Sequence, residues 1–192
     1  YRFDTFMQNG SSSKALNACK SFVGADREHY FLTLLGGCGL GKTHLAIAII
    51  NEIMDKEEKK NCYYAQTEIL MDLLRSKFNH PYEEHDTFES WFNFVKNVPY
   101  LVLDDLGAQQ DTAWSQAKLE ELIDSRYFYQ MATIFTSNLS PQQLPPRITS
   151  RLMAGVCVAK TVRNYGLPAK IKWPNDVLIH GKKVCGILTE IG

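Results

Sequence analysis

Four residues at a fixed spacing carry the most specific chemistry in the chain. Gly36, Gly41, Lys42 and Thr43 satisfy the pattern G-x-x-x-x-G-K-[ST] across Gly36-Gly37-Cys38-Gly39-Leu40-Gly41-Lys42-Thr43. The glycines let the backbone curl so that successive N–H groups face one anion. A helix opening at the end of such a loop turns its positive end toward the same anion. Lys42 is long enough to reach the outer phosphates of a nucleoside triphosphate, and the Thr43 hydroxyl can ligate Mg²⁺. The eight residues from Gly36 to Thr43 are therefore a candidate ATP-binding loop, with Thr43 a metal ligand.

A second, independent signal lies some sixty positions on. "YLVLDD", Tyr100–Asp105, is an apolar run that ends in two carboxylates. Two acids at a strand end also make an ordinary solvated turn. Beside a phosphate loop they acquire separate tasks: Asp104 as a direct or water-mediated partner of Mg²⁺, and Asp105 as a base that orients the attacking water.

These groups need a frame that brings them together. "YFLTLL" (Tyr30–Leu35), "NCYYAQ" (Asn61–Gln66), "YLVLDD" and "ATIFTSN" (Ala132–Asn138) are short runs rich in β-formers, and each reads as a strand. Between them, "THLAIAIINEIMDK" is apolar almost all round, as suits a helix buried beside a sheet. Thr67 is placed to cap "EILMDLLRSKF", in which Ile69, Leu70, Leu73, Leu74 and Phe78 fall on helical spacing. "HPYEEHD" reads as a polar loop and "TFESWFNFVKN" as a short amphipathic helix. Leu119, Leu122, Ile123 and Tyr127 form one stripe of a further helix, and the three prolines of "LSPQQLPP" interrupt the pattern. Strands alternating with helices predict an α/β fold: a parallel sheet with helices on both faces.

The 192 residues, 45% hydrophobic and 22% charged, suffice for one domain with a full core and exclude a disordered chain. The formal net charge of +0 gives no whole-chain signature of nucleic-acid binding. The charge is uneven, however: positions 1–159 carry 15 Lys/Arg against 19 Asp/Glu, and positions 160–192 carry 6 against 2. Five cysteines, with no C-x-x-C pair, fit a reducing compartment such as the cytoplasm better than a disulfide framework. No apolar run approaches the roughly 20 residues that span a bilayer, so no membrane partner is expected.

In order, GGCGLGKTHLA, LVLDDLG, TIFTSN and PPRITSRL resemble the AAA+ ATPases of the bacterial helicase-loader and transposition-helper group, a class of P-loop NTPase. The likeness covers roughly residues 1–155 and implies an ATP-driven switch in helicase loading or a related DNA transaction. It implies a replicative helicase or a transposase as partner, with single-stranded DNA as a further one. It also implies roles for three more residues. Asn138 would sense the γ-phosphate and position water. Arg151, with Arg147 close beside it, would be an arginine finger acting on ATP held by a neighbouring copy, so that hydrolysis depends on self-association. Read from spacing alone, the two arginines are an exposed pair on a helix face. Asp105 stands where many AAA+ enzymes have Glu, and its shorter reach predicts slow, switch-like hydrolysis.

The C-terminal stretch "AKIKWPNDVLIHGKKVCGILTEIG" resembles part of the catalytic domain of biotin protein ligases. That resemblance implies Lys172, Asp176 and Lys183 near biotin and its adenylate. The glycine- and arginine-rich loop of those ligases has no counterpart in this chain, so ligase activity is not assigned. From the residues themselves, "IKW" and "VLI" are strand-like and His180-Gly181 suits a hairpin turn. Two regions are thus expected, 1–155 and 156–192. The junction falls within Arg151–Lys160, where "GVCVA" fits either a last sheet strand or a helix.

Overall fold

The computed structural model describes residues 1–7, 12–24, 30–56, 61–79, 87–107, 112–152, 169–172, 176–180 and 182–186. The "HPYEEHD" loop and the "GVCVA" run fall outside them. Five helices and seven strands are assigned among the described residues. In chain order they are α1 (Ser12–Val23), β1 (Phe31–Leu35), α2 (Lys42–Lys56), β2 (Cys62–Gln66), α3 (Thr67–Asn79), α4 (Phe88–Asn97), β3 (Tyr100–Asp104), α5 (Ala113–Phe128), β4 (Ala132–Ser137), β5 (Ala169–Lys172), β6 (Asp176–Ile179) and β7 (Lys182–Gly186). A further helical turn runs over 146–152.

The first four strands form one parallel sheet in the order β1-β4-β3-β2. Alternation along β3 shows how the sheet serves two cores. Tyr100 and Val102 join the cluster under α1 and α2, with Leu45, Ile49 and Ile53. Leu101 and Leu103 join the opposite cluster with α3, α4 and α5, among them Leu70, Leu74, Phe92 and Leu119. A period of two over a strand buried on both faces produces this division. Each fully buried aliphatic side chain contributes about 1.5–3 kcal/mol. The expected α/β sandwich is thus the observed one.

Thr87 and Thr112 cap α4 and α5 by accepting the amides of Ser90 and Ser115 through their side chains. Two local expectations need correction. Thr67 opens α3, but its hydroxyl crosses to the Asp104 carbonyl at 2.9 Å, so the buried side chain ties helix to strand. On α3, Leu70, Met71 and Leu74 are buried whereas Ile69 and Phe78 are exposed, because the sheet meets a narrower face than the apolar stripe offers.

Strands β5, β6 and β7 form a separate antiparallel sheet in that order. Ile179 pairs with Lys182, and His180, in the turn that follows β6, adopts φ +50°. The expected hairpin is present. Its register sets Lys172 opposite Asp176, and Lys183 opposite Leu178.

Candidate nucleotide site

The strand order decides what can meet. β4 lies between β1 and β3, so the residues leaving the C-terminal ends of these three parallel strands share one edge. That edge of an open α/β sheet, where neighbouring connections diverge, is where such folds bind ligands. The glycine loop leaves β1, Asp105 follows β3 and Asn138 follows β4.

In the loop, Gly39 and Gly41 adopt φ +76° and +79°, which a side chain resists. Gly41 has a second reason to be glycine: an added Cβ would stand 2.6 Å from Cε2 of Phe6. The segment before α1 therefore packs under the loop. It is tied to α2 by Asn51 Nδ2, which donates to the Tyr1 carbonyl at 2.7 Å, and by an ion pair of Arg2 with Asp55. His44 Nε2 lies 2.8 Å from the Arg2 carbonyl, so Nε2 carries the proton and donates. The His44 ring meets Tyr1 and Phe6 edge-on, at 4.9 and 5.3 Å.

Lys42 Nζ donates to the carbonyls of Gly36 and Gly37 and to Oδ1 of Asn138, each at 2.7 Å. Asn138 turns its other amide atom, Nδ2, to Asp105 Oδ1 at 2.7 Å. Lysine, asparagine and aspartate thus form one chain of polar contacts across the edge. Asp105 itself has φ +55°. Its N–H donates to Thr136 Oγ1 at 2.9 Å, and the next amide, Leu106, to the Thr136 carbonyl at 2.7 Å. The left-handed turn directs the backbone after β3 toward β4 and costs about 1–3 kcal/mol, which these bonds offset.

Asp104 is only 3% exposed. Its carboxylate accepts the Thr43 hydroxyl almost symmetrically, at 3.0 Å to Oδ1 and 3.1 Å to Oδ2. Thr136 Oγ1 donates to Oδ1 at 2.5 Å and the Tyr64 phenol to Oδ2 at 2.6 Å. Burial, reinforced by the hydrogen bond to Asp104, pushes the Tyr64 phenol well above its ordinary range, so it stays protonated and acts as donor. Together these groups line a cavity of about 470 Å³ that runs from the loop to Asn138.

Loop, acids and asparagine thus converge. Cys38 and Leu40 are on the exposed side of the loop, Leu40 at 55%. Tyr64 and Thr136 were not singled out in the sequence. Their signal was the strand order, which sets β2 and β4 on either side of β3 and which periodicity does not reveal. Arg147 and Arg151 are not among the residues lining this cavity. Asp124 on α5 holds both: Oδ2 accepts Arg147 Nη2 at 2.7 Å and Oδ1 accepts Arg151 Nε at 2.8 Å. The Arg151 guanidinium also lies over the Tyr127 ring, 5.3 Å from its centroid. Lys172, Asp176 and Lys183 sit on β5, β6 and β7, and their side chains are outside the described residues.

A glycine loop between strand and helix, with a buried acid on the strand beyond its neighbour, defines a P-loop ATPase core of the AAA+ class. The chain belongs to the bacterial DnaA ATPase domain family, whose model matches residues 1–159. It is 34% identical over 119 residues to the replicative helicase loader DnaI of Bacillus subtilis (strain 168), covering 62% of this chain and 36% of that protein. It is 29% identical over 161 residues to the chromosomal replication initiator protein DnaA of Geotalea daltonii, covering 81% of this chain and 35% of that protein. A crystal structure of the DnaC helicase loader superposes with a TM-score of 0.64 at 29% identity, covering 86% of this chain and 92% of that one. The chain spans about a third of the length of these curated relatives.

Proposed function

We propose that this chain binds Mg·ATP at Gly36–Thr43 and acts as an ATP-dependent switch in the initiation of DNA replication, at the step of helicase loading. The observation that carries the reading is the contact chain Lys42–Asn138–Asp105, which joins the phosphate loop to the ends of β3 and β4. Residues 1–155 are the ATP-binding core in this reading, and 156–192 a separate segment.

The donor set fits the ligand. Gly39 and Gly41 already hold positive φ values, the freedom that lets a loop turn its amides toward an anion, and the phosphates would replace the carbonyls as acceptors for Lys42. Thr43 and Asp104 would hold Mg²⁺, a hard cation suited to hydroxyl, carboxylate, water and phosphate oxygens. When bound, Mg²⁺ neutralises charge building on the transferred phosphoryl group. Asp105 orients the water and Asn138 holds both that carboxylate and the γ-phosphate side. Arg151, with Arg147, serves a neighbouring copy's ATP. A replicative helicase and single-stranded DNA are the proposed partners.

Nucleotide binding followed by equilibrium dialysis, with hydrolysis measured across protein concentration, tests the reading. Mg·ATP binding that Lys42→Ala abolishes, and turnover per subunit that rises with concentration, are expected. No nucleotide binding in the intact chain would overturn it.

A further inference from the structure

The buried carboxylate of Asp104 is gripped from both sides of its strand, and the two grips differ in what they use. β3 runs between β4 and β2. From β4, Thr136 Oγ1 donates to Oδ1 at 2.5 Å; from β2, the Tyr64 phenol donates to Oδ2 at 2.6 Å. Each neighbouring strand thus claims one oxygen. Thr43 approaches between them, 3.0 and 3.1 Å from the two oxygens, on the side that faces the loop. A carboxylate offers about four lone-pair sites. Two are taken by the flanking hydroxyls, and the two that face Thr43 share a single proton.

We propose that Tyr64 and Thr136 are positioning residues for the metal of this site. They fix the plane of the Asp104 carboxylate so that its loop-facing lone pairs meet Thr43 and the Mg²⁺ that arrives with the nucleotide. The inference rests on the Mg·ATP reading above and adds the residues that set the metal's affinity. The physical reason is the freedom the clasp removes. A lone Asp side chain rotates about two bonds, and its terminal rotation is broad. With one donor per oxygen, from two strands locked in register, that rotation is fixed before the metal arrives. Preorganisation of this kind puts the ordering cost into folding and leaves it out of binding.

Tyr64 lines the same cavity, where its hydroxyl reaches Asp104. Its ring belongs to the packing around the α1–α2 core, and its hydroxyl serves the carboxylate. Thr136 carries a second duty, since its oxygen accepts the Asp105 N–H at 2.9 Å. The clean probe is therefore Tyr64→Phe, which deletes one oxygen and keeps the ring.

The test is binding of a fluorescent ATP analogue to the full chain, titrated with Mg²⁺ and repeated in EDTA. Tyr64→Phe is expected to raise the Mg²⁺ concentration for half-maximal binding about tenfold, as loss of an outer hydrogen bond to a metal ligand does, a larger loss than any it causes in EDTA. Thr136→Ser, which keeps the hydroxyl, is expected to stay within about twofold of the unaltered chain on the same scale. An unshifted Mg²⁺ midpoint in Tyr64→Phe overturns the clasp while leaving the ATP site standing. Equal weakening with and without Mg²⁺ makes Tyr64 a packing residue and overturns the clasp too. An intact chain whose nucleotide binding ignores Mg²⁺ overturns the clasp and the metal reading together.

Discussion

Lys42 and Asn138, 96 positions apart, meet at 2.7 Å, ammonium to amide oxygen. The contact spans the gap between the loop after β1 and the end of β4, and Asn138 relays it to Asp105. Each partner has a separate fate in the proposed cycle. Lys42→Ala removes the charge proposed to bind phosphate, and the affinity for Mg·ATP should fall about a hundredfold, the worth of one strong charge-assisted contact. Asn138→Ala removes a γ-side donor and the hold on Asp105. ATP should still bind within a few-fold, while single-turnover hydrolysis slows about 10²–10³-fold. Equal loss of binding in both variants would show that Asn138 is part of the binding surface and not a sensor.

Asp124 gathers Arg147 and Arg151 on one carboxylate, apart from the residues that line the chain's own cavity. If Arg151 serves a neighbour's ATP, Arg151→Ala should bind Mg·ATP normally yet hydrolyse it about 10³-fold more slowly. Lys42→Ala subunits should be inactive as well. Mixed, the two variants should recover activity, because a Lys42→Ala subunit can lend its Arg151 to an Arg151→Ala subunit with an intact loop. A mixture that stays inactive at every ratio would refute a finger in trans.

The cysteines report on burial. Cys19 on α1 is fully buried, and burial pushes its thiol up to about 12. Cys38, in the phosphate loop, is exposed. Alkylation at pH 8 should modify Cys38 and spare Cys19, and Mg·ATP should slow the reaction at Cys38. The same shift sets a sign for stability. Above the ordinary thiol range near 9 the unfolded chain loses the Cys19 proton while the folded chain keeps it. Unfolding then releases a proton, so stability is full below about pH 9 and falls as pH rises toward 12, by up to about 1.4 kcal/mol per pH unit. Burial raises the Tyr63 and Tyr127 phenols too, which adds in the same direction. Burial lowers the pKa of Arg126 to about 9, which acts in the opposite direction over the same range, so the check is the difference in urea midpoint between the unaltered chain and Cys19→Ala from about pH 8 to 10.5; a difference that does not change with pH contradicts a buried neutral Cys19.

Residue types alone revealed the loop, the acid pair and the four strands of the main sheet, because glycine spacing, strand-end carboxylates and β-rich runs are local features. The partners of Asp104 were not legible. Whether Tyr64 touches Asp104 depends on β2 lying beside β3, with Gln66 in register with Asp104, and nothing in either segment specifies its neighbour. The exposed Ile69 and Phe78 mislead for a related reason: helical spacing shows which residues share a face, while the packed layer decides how much of that face is covered. Arg126 escapes such reading altogether. It occupies a helix position where an arginine is ordinarily solvated, and it is fully buried.

Arg126 gives the sharpest stability prediction. Its guanidinium threads between α4, α5 and β4. Nε donates to Thr133 Oγ1 at 2.8 Å and Nη2 to the Ala132 carbonyl at 2.8 Å. Nη1 meets the carbonyls of Val95, Lys96 and Val98 at 2.9, 3.0 and 2.9 Å, at the negative end of α4. Burial lowers its pKa to about 9, still above neutral pH, so the side chain stays charged. The acceptors around it are the last turn of a helix and the first residues of a strand, groups that otherwise have no partner inside their own elements. Arg126→Met fills much of the volume but leaves those carbonyls buried and unpaired. The expected loss is about 3–5 kcal/mol, since each buried acceptor left without a partner costs about 1–3 kcal/mol and removal of the buried charge offsets part of the sum. Arg126→Lys keeps the charge but reaches one direction where the guanidinium reaches three, and should lose about half as much. Chemical denaturation of the two variants decides the matter. A Met variant as stable as the unaltered chain would mean that water, not Arg126, satisfies the end of α4.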